Sequence, residues 1–593
     1  MIFSNFTTRT GFFIIFTLCS FAAFAQNTNI NLAFNKIVND YYEAGLELRP
    51  LAATQKGDNR FNDILPNTIS AAYLKDVHNY NVKFKKQLAS FKKSNLSSSD
   101  KVTLDIINFQ IEMALEREQF HLELMPFNQG VGSMPTTLPS FGSGIGIQPF
   151  KTVTDYYNWL KRLDAFTFWA DTAIANFNRG ISCGMVLPKA LVVKMIPQLE
   201  AQTVSDTSKN IFYGPVKNMP SSFSEAEKAA IKLAYQNTIT TKVIPTYKKL
   251  ADYLKNIYLA KARNTSGYND LPNGSEIYKF LVKFYTTTNK APEEIYKIGL
   301  KEVARITREI DSIKANIGFT GSRSDLFDFL KTDKQFLPFT TEKQVLDSFR
   351  NILPRIEPKL KKLFNIVPKT TFEVRAIEKF KAASTASNYQ TGTEDGSRPG
   401  YFNARILDPL TYNAQGMESL FAHEAIPGHH FQLSLQQENN ALPKIRRYAQ
   451  YPVFAEGWGL YAESLGDELG LYKNPYEKIA ALSSELFRAA RLVIDVALHT
   501  GKITREEAIK YMVEKVGLGE REATSEIERY MADPGQALSY KIGELKIKEV
   551  RSKYENLLGT KFNIKDFHDA ILSGGAMPLS VFESYMADWY KKQ

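Results

Sequence analysis

The strongest constraint on what this chain can fold into is a proline placed where a helix would have to continue. The stretch reads Phe421-Ala-His-Glu-Ala-Ile-Pro-Gly-His-His-Phe-Gln432. His423 and Glu424 begin the pattern H-E-x-x-H, in which two histidines one helical turn apart bind zinc and the glutamate serves as general base. Pro427 stands where the second histidine should be. Proline removes a backbone donor, and its ring clashes with the carbonyl four residues back, that of His423. On an unbroken helix His429 would lie about 120° off the face of His423 and His430 about 20° off it. His430 would then sit about 10.5 Å further along the axis, too far for both rings to reach one ion. If Pro427 and Gly428 act as a two-residue bulge, His429 arrives where the fifth residue of the plain motif would be. The spacing therefore points to His423 and His429 as metal ligands, with His430 in reserve. The competing reading is a helix that ends at Pro427, followed by two surface histidines.

Two further features favour the metal reading. A catalytic zinc has three protein ligands and keeps a fourth position open. Glu456 is the candidate third ligand: it follows an apolar run, Val453-Phe-Ala, where an unpaired carboxylate would be costly, the competing reading being an ordinary amphipathic helix with exposed carboxylates. Glu456 and Glu463 share one face of a helix, with Trp458 and Tyr461 nearby. The second feature is a polar stripe, Arg488, Arg491, Asp495 and His499, on a helix otherwise made of Leu, Val, Ile and Ala. It reads either as support for the site or as a structural ion pair inside a helical bundle.

At 593 residues the chain has room for more than one packed lobe. Apolar residues recur at threes and fours over most of it. Asn128 to Gln148, rich in Gly, Pro, Ser and Thr, is expected to be a loop, and Leu96-Ser-Ser-Ser-Asp100 to start a helix with Ser99 or Asp100 as cap. Strand patterns occur at Thr371 to Ala376 and Tyr401 to Ile406, with a loop from Ala382 to Gly400. The second strand, close before the metal helix, is a candidate to hold a substrate backbone. The fold class is thus mainly α, a large helical, cleft-containing, zincin-like architecture with a small β element before the metal helix. We expect an N-terminal helical region over 26–390 and a metal-binding region over 391–593, which can also be one continuous domain.

Residues 1–25 read as a secretory signal: Arg9, an apolar core from Gly11 to Ala22, and Ala23-Phe24-Ala25 as the cleavage site. Leu18 is larger than lipoprotein signals usually carry before their cysteine, so cleavage near Ala25 is favoured over lipid attachment at Cys19. No later segment is apolar for long enough to span a bilayer. After cleavage Cys183 is the remaining cysteine, which excludes an intramolecular disulfide. Its apolar surroundings suggest a buried position. The net charge of +11 could suit an anionic partner. The lysines, however, are interleaved with Glu and Asp, and no nucleic-acid motif is present. A solvated surface is expected, with neither nucleic acid nor stable membrane insertion.

His423-Glu-Ala-Ile-Pro-Gly-His-His-Phe-Gln432 resembles the H-E-x-x-P-G-H-x-x-Q signature of the bacterial domain-of-unknown-function family 885, whose members are taken for gluzincin-like zinc metallopeptidases. Glu456-Gly-Trp-Gly-Leu-Tyr-Ala-Glu463 resembles its E-G-W-x-x-Y-x-E block. Further blocks similar to the family's lie at 488–499, 534–543 and 574–580. The resemblance implies a helical peptidase fold with Zn2+ as cofactor, Glu456 as third ligand and Glu424 as general base. The expected protein is a periplasmic or secreted zinc hydrolase acting on peptides. Alternatives are hydrolysis of another amide or ester, or a non-catalytic peptide-binding role. Tyr540 is the first candidate to stabilise the oxyanion, then His499, then Tyr530. Arg447, Arg491 and Lys541 are candidates for holding a substrate's terminal carboxylate.

Overall fold

The computed structural model describes residues 31–593 apart from 131, 378, 383–385, 394, 395 and 397. The signal sequence and Cys19 lie outside the described residues. The fold is mainly α, as the periodicity demands. Among the described residues no helix is long and apolar enough to cross a membrane.

The N-terminal half builds a helical layer around Trp159, Trp169, Phe166 and Tyr247, all buried on or against the helix Val153–Cys183. The segment expected to be a loop between Asn128 and Gln148 contains a helix, Met134–Gly142. Its prolines misled the composition argument. One sits in the first turn, where a missing N–H costs nothing, and Leu138 and Phe141 bury its apolar side. The helix Ser98–Arg117 is capped by Ser97, which accepts from the Asp100 amide, not by Ser99 or Asp100. Cys183 is exposed at a helix end, not buried.

A three-stranded sheet has β1 (Phe372–Ala376), β2 (Asn388–Gln390) and β3 (Gly400–Ala404) in the order β1-β3-β2. β3 pairs parallel with β1 (Val374 opposite Phe402) and antiparallel with β2 (Tyr389 opposite Phe402). β3 is therefore the middle strand. The expectation that it offers a free edge to a substrate is wrong, because both of its sides are already paired. β2 lies inside the segment read as a loop from Ala382. The sheet also straddles residue 390, so a division at that point cuts a hydrogen-bonded unit. Phe402 is buried against Phe349 and Phe421, which seats the sheet on the helix that carries His423.

The C-terminal half packs the helices Met417–Glu424, His429–Glu438, Pro452–Ser464, Pro475–His499 and Ser539–Leu558 into the largest apolar core. Thr504 caps the helix Arg505–Tyr511 in a reciprocal pair with Glu507, as its sequence signals.

Candidate metal centre

The helix that begins at Met417 ends at Glu424, and a new one begins at His429. Between them the Ile426–Pro427 peptide is cis. Gly428 is held so tightly against the first helix that a Cβ on it would lie 1.9 Å from the carbonyl oxygen of His423, so no other residue fits. The indole Nε1 of Trp458 donates to the carbonyl of Pro427 at 2.8 Å, which ties the break to the glutamate-bearing helix Pro452–Ser464. The outcome is that His423 and His429 stand with ring centroids 4.7 Å apart, nearly perpendicular.

Glu456 completes the cluster. One nitrogen of each histidine and one oxygen of Glu456 all lie within 4.8 Å of one another. Glu456 Oε2 is 3.4 Å from His423 Nε2 and 3.5 Å from His429 Nε2. Donors at about 2.0–2.2 Å from a tetrahedral ion stand about 3.3–3.6 Å apart, so the spacing suits zinc. His430 turns away. Its Nδ1 meets the Tyr389 hydroxyl at 2.9 Å and its ring packs on Phe372. Burial lowers its pKa to about 4, which suits a neutral structural imidazole.

Glu463 was read from the sequence only as sharing a face with Glu456. It accepts from His423 Nδ1 at 2.8 Å, from Ser419 Oγ at 2.5 Å and from Ser484 Oγ at 2.9 Å. With Nδ1–H committed to this carboxylate, Nε2 is the nitrogen left to face Glu456 and to take a metal, which is how a ligating imidazole is usually oriented. Burial disfavours a proton on His423, but the Glu456 and Glu463 carboxylates outweigh it and raise the pKa to about 10. Two carboxylates that attract a proton there also attract a cation. Gly459 lets the glutamate helix approach: a Cβ would meet His423 Cε1 at 2.7 Å.

Glu424 is buried, and its Oε2 has no hydrogen-bond partner. Burial raises its pKa, with His429 and His423 pulling the other way. A buried, unpaired carboxylate oxygen is costly, and beside a donor cluster it fits a water or substrate proton. His429 Nδ1 is also buried without a partner. The residues present thus fit the zinc ion the motif implies.

The oxyanion candidates separate. Tyr540 is half-buried, with the Arg491 guanidinium 4.4 Å from its ring, and burial and then the Glu456 charge raise its pKa. His499 does not serve: Nε2 meets the Tyr530 carbonyl at 3.0 Å and Nδ1 accepts from the Tyr268 amide at 3.3 Å, so both nitrogens are used. Tyr530 is fully buried, and its hydroxyl donates to Glu526. The polar stripe divides likewise. Asp495 accepts from the Tyr278 hydroxyl and the Gly535 amide and so fixes a turn. Arg488 donates to Ser484 Oγ, the hydroxyl that supports Glu463. Lys541 is fully buried among Glu302, Glu485 and Glu544, which rules it out as a substrate contact. Arg447 donates to the carbonyl of Gln437.

Residues 50–586 match the family model described as "Bacterial protein of unknown function (DUF885)". The chain belongs to this family. Among solved structures it is similar to one called "the putative lipoprotein from Colwellia psychrerythraea", at 27% identity and a TM-score of 0.86, over 94% of this chain and 99% of that one. A second, "a putative lipoprotein of unknown function from Shewanella oneidensis", shares the fold at 20% identity and a TM-score of 0.73, over 93% and 99%. No curated protein matches the chain.

Proposed function

We propose that this DUF885 member is an extracytoplasmic zinc-dependent hydrolase that cleaves peptides. The observation that carries the reading is the convergence of His423, His429 and Glu456, whose donor atoms lie within 4.8 Å of one another, with the buried Glu424, one carboxylate oxygen of which is unpartnered, next to His423 in the chain. A zinc ion held by these three residues would supply Lewis-acid activation of water and of the scissile carbonyl. Glu424 takes the proton from the attacking water and delivers it to the leaving nitrogen. Its raised pKa suits both halves of that transfer. Tyr540 would donate to the carbonyl oxygen as negative charge develops. Glu463, held by Ser419 and Ser484, fixes the ring of His423.

The sequence signal at 1–25 and the lipoprotein titles of both structural neighbours support export. Those titles also make lipid attachment at Cys19 the competitor to cleavage near Ala25, and mass spectrometry of the mature N-terminus separates the two. Metal analysis of the purified protein and peptide hydrolysis by Glu424→Gln test the reaction. We expect about one equivalent of zinc in both proteins and hydrolysis only in the parent. Normal peptide cleavage by the variant refutes the mechanism, and activity confined to esters or non-peptide amides moves the substrate class.

A further inference from the structure

The long helix Pro475–His499 brings two guanidinium groups towards the site, each with a buried N–H that no partner takes up. Arg491 is 6% exposed and lies between two rings, 4.3 Å from Phe487 and 4.4 Å from Tyr540. Its Nη2 pairs with Glu526 at 3.1 Å, but Arg529 claims the same carboxylate oxygen at 2.9 Å. Arg491 Nη1 is buried with no partner. Arg488 lies one turn before Arg491 on the same face. Among the described residues it forms no ion pair. Its Nη1 holds Ser484, and its Nε is buried and unpartnered. Through Ser484 it is joined to Glu463, the carboxylate that holds His423.

Arg491 and Arg529 therefore share one carboxylate, Glu526, and Arg488, one turn away, has no carboxylate partner of its own. The buried Nε of Arg488 and Nη1 of Arg491 are left unpaired, which is costly unless an acceptor completes them. An arginine fork matches a carboxylate in shape as well as in charge.

We propose that Arg488 and Arg491 form an anion subsite beside the candidate metal centre that receives a carboxylate of the peptide substrate. Arg488 makes the contact. Arg491 braces the ring of Tyr540 and adds charge behind it. This rests on the reading of the site as a peptidase centre. If the carboxylate is the substrate's C-terminus, the protein removes residues from free C-terminal ends. If it is an acidic side chain, the cut lies beside Asp or Glu.

The test is calorimetric binding to zinc-loaded Glu424→Gln protein, so that no turnover is needed. The probes are N-acetyl-trialanine as free acid, the same peptide as its C-terminal amide, and N-acetyl-Ala-Ala-Asp amide. We expect the free acid to bind at least tenfold more tightly than the plain amide. Adding Arg488→Leu should shrink that ratio below threefold, and Arg488→Lys should restore part of it. Melting temperature and zinc content identify a variant that has lost its fold. Tight binding of the Asp amide alone assigns the subsite to an acidic side chain. Equal binding of all three probes, or binding of none, overturns the subsite. Equal hydrolysis of acid and amide by the parent overturns the subsite and leaves the peptidase reading standing. Selective binding of the acid with no hydrolysis by the parent does the reverse.

Discussion

Gly459→Ala adds one methyl group to a helix, where propensity alone favours alanine over glycine by about 1 kcal/mol. At this position the methyl carbon would lie 2.7 Å from His423 Cε1, 2.9 Å from Nε2 and 3.0 Å from Nδ1. Carbon atoms in comfortable contact are about 3.5–4.0 Å apart, so the imidazole has to retreat by about 1 Å. It has little freedom to do so, because Nδ1 is tied to Glu463 at 2.8 Å and the His423 carbonyl is pressed against Gly428. Overpacking of this kind costs about 1–3 kcal/mol. The propensity gain is cancelled or exceeded, and the fold should lose about 0–2 kcal/mol. The larger effect falls on the donor atom. Metal–ligand distances tolerate deviations of about 0.2 Å, several times less than the retreat. Zinc affinity should fall by at least tenfold, about 1.4 kcal/mol. Competition against a chromophoric chelator reads the affinity, and thermal melting of the metal-free protein reads the fold. Should the variant hold zinc within a factor of two of the parent, the ring of His423 is either not wedged at Gly459 or not a ligand, and the argument fails.

Glu463→Gln keeps the shape of the side chain but removes the charge that orients His423, and should weaken zinc binding by about 10–100-fold, read in the same competition assay. His429→Ala should abolish zinc binding. His430→Ala should leave it intact while lowering stability by about 1–3 kcal/mol through loss of the Tyr389 hydrogen bond and the Phe372 contact; equal zinc loss in both would show the two histidines to be misassigned. Burial raises Asp495 to about 7 although the Tyr278 hydroxyl and the Gly535 amide pull it down. The folded chain therefore keeps a proton that the unfolded chain releases near 3.8. That contribution to stability is complete below the unfolded value and is lost as the pH rises through 7. The stability difference between the parent and Asp495→Asn should decline by about 4 kcal/mol, as an order of magnitude, between pH 4 and pH 8 in urea titrations; a flat difference refutes the assignment.

What could be read from the sequence was what local chemistry decides. Pro427 and Gly428 announce the break between the two helices, because a proline ring and a carbonyl four residues back cannot share one space. The carboxylate of Glu456 in an apolar run signals a partner, and Thr504 with Glu507 signals a helix start. Features that depend on distant partners stayed hidden. Glu463 could be placed on the face of Glu456, but not opposite the second nitrogen of His423. The stripe of Arg491, Asp495 and His499 showed that these residues are buried, but not that His499 spends both nitrogens on backbone groups. Strand order is not a local property, so β3 could not be recognised as the middle strand. Composition failed where prolines sit inside a helix, as in Met134–Gly142.

The hydrogen bond from Trp458 to the carbonyl of Pro427 has a consequence for how an ion would enter and leave. It joins the two chain segments that carry the donors through protein atoms alone, as does the contact of Glu463 with His423. The spacing of the donors is then set before any ion arrives. Removal by a chelator should leave a folded apoprotein that takes up cobalt or zinc alike, within the time of mixing. In a compartment whose metal supply fluctuates, such a protein would follow the supply reversibly without having to refold.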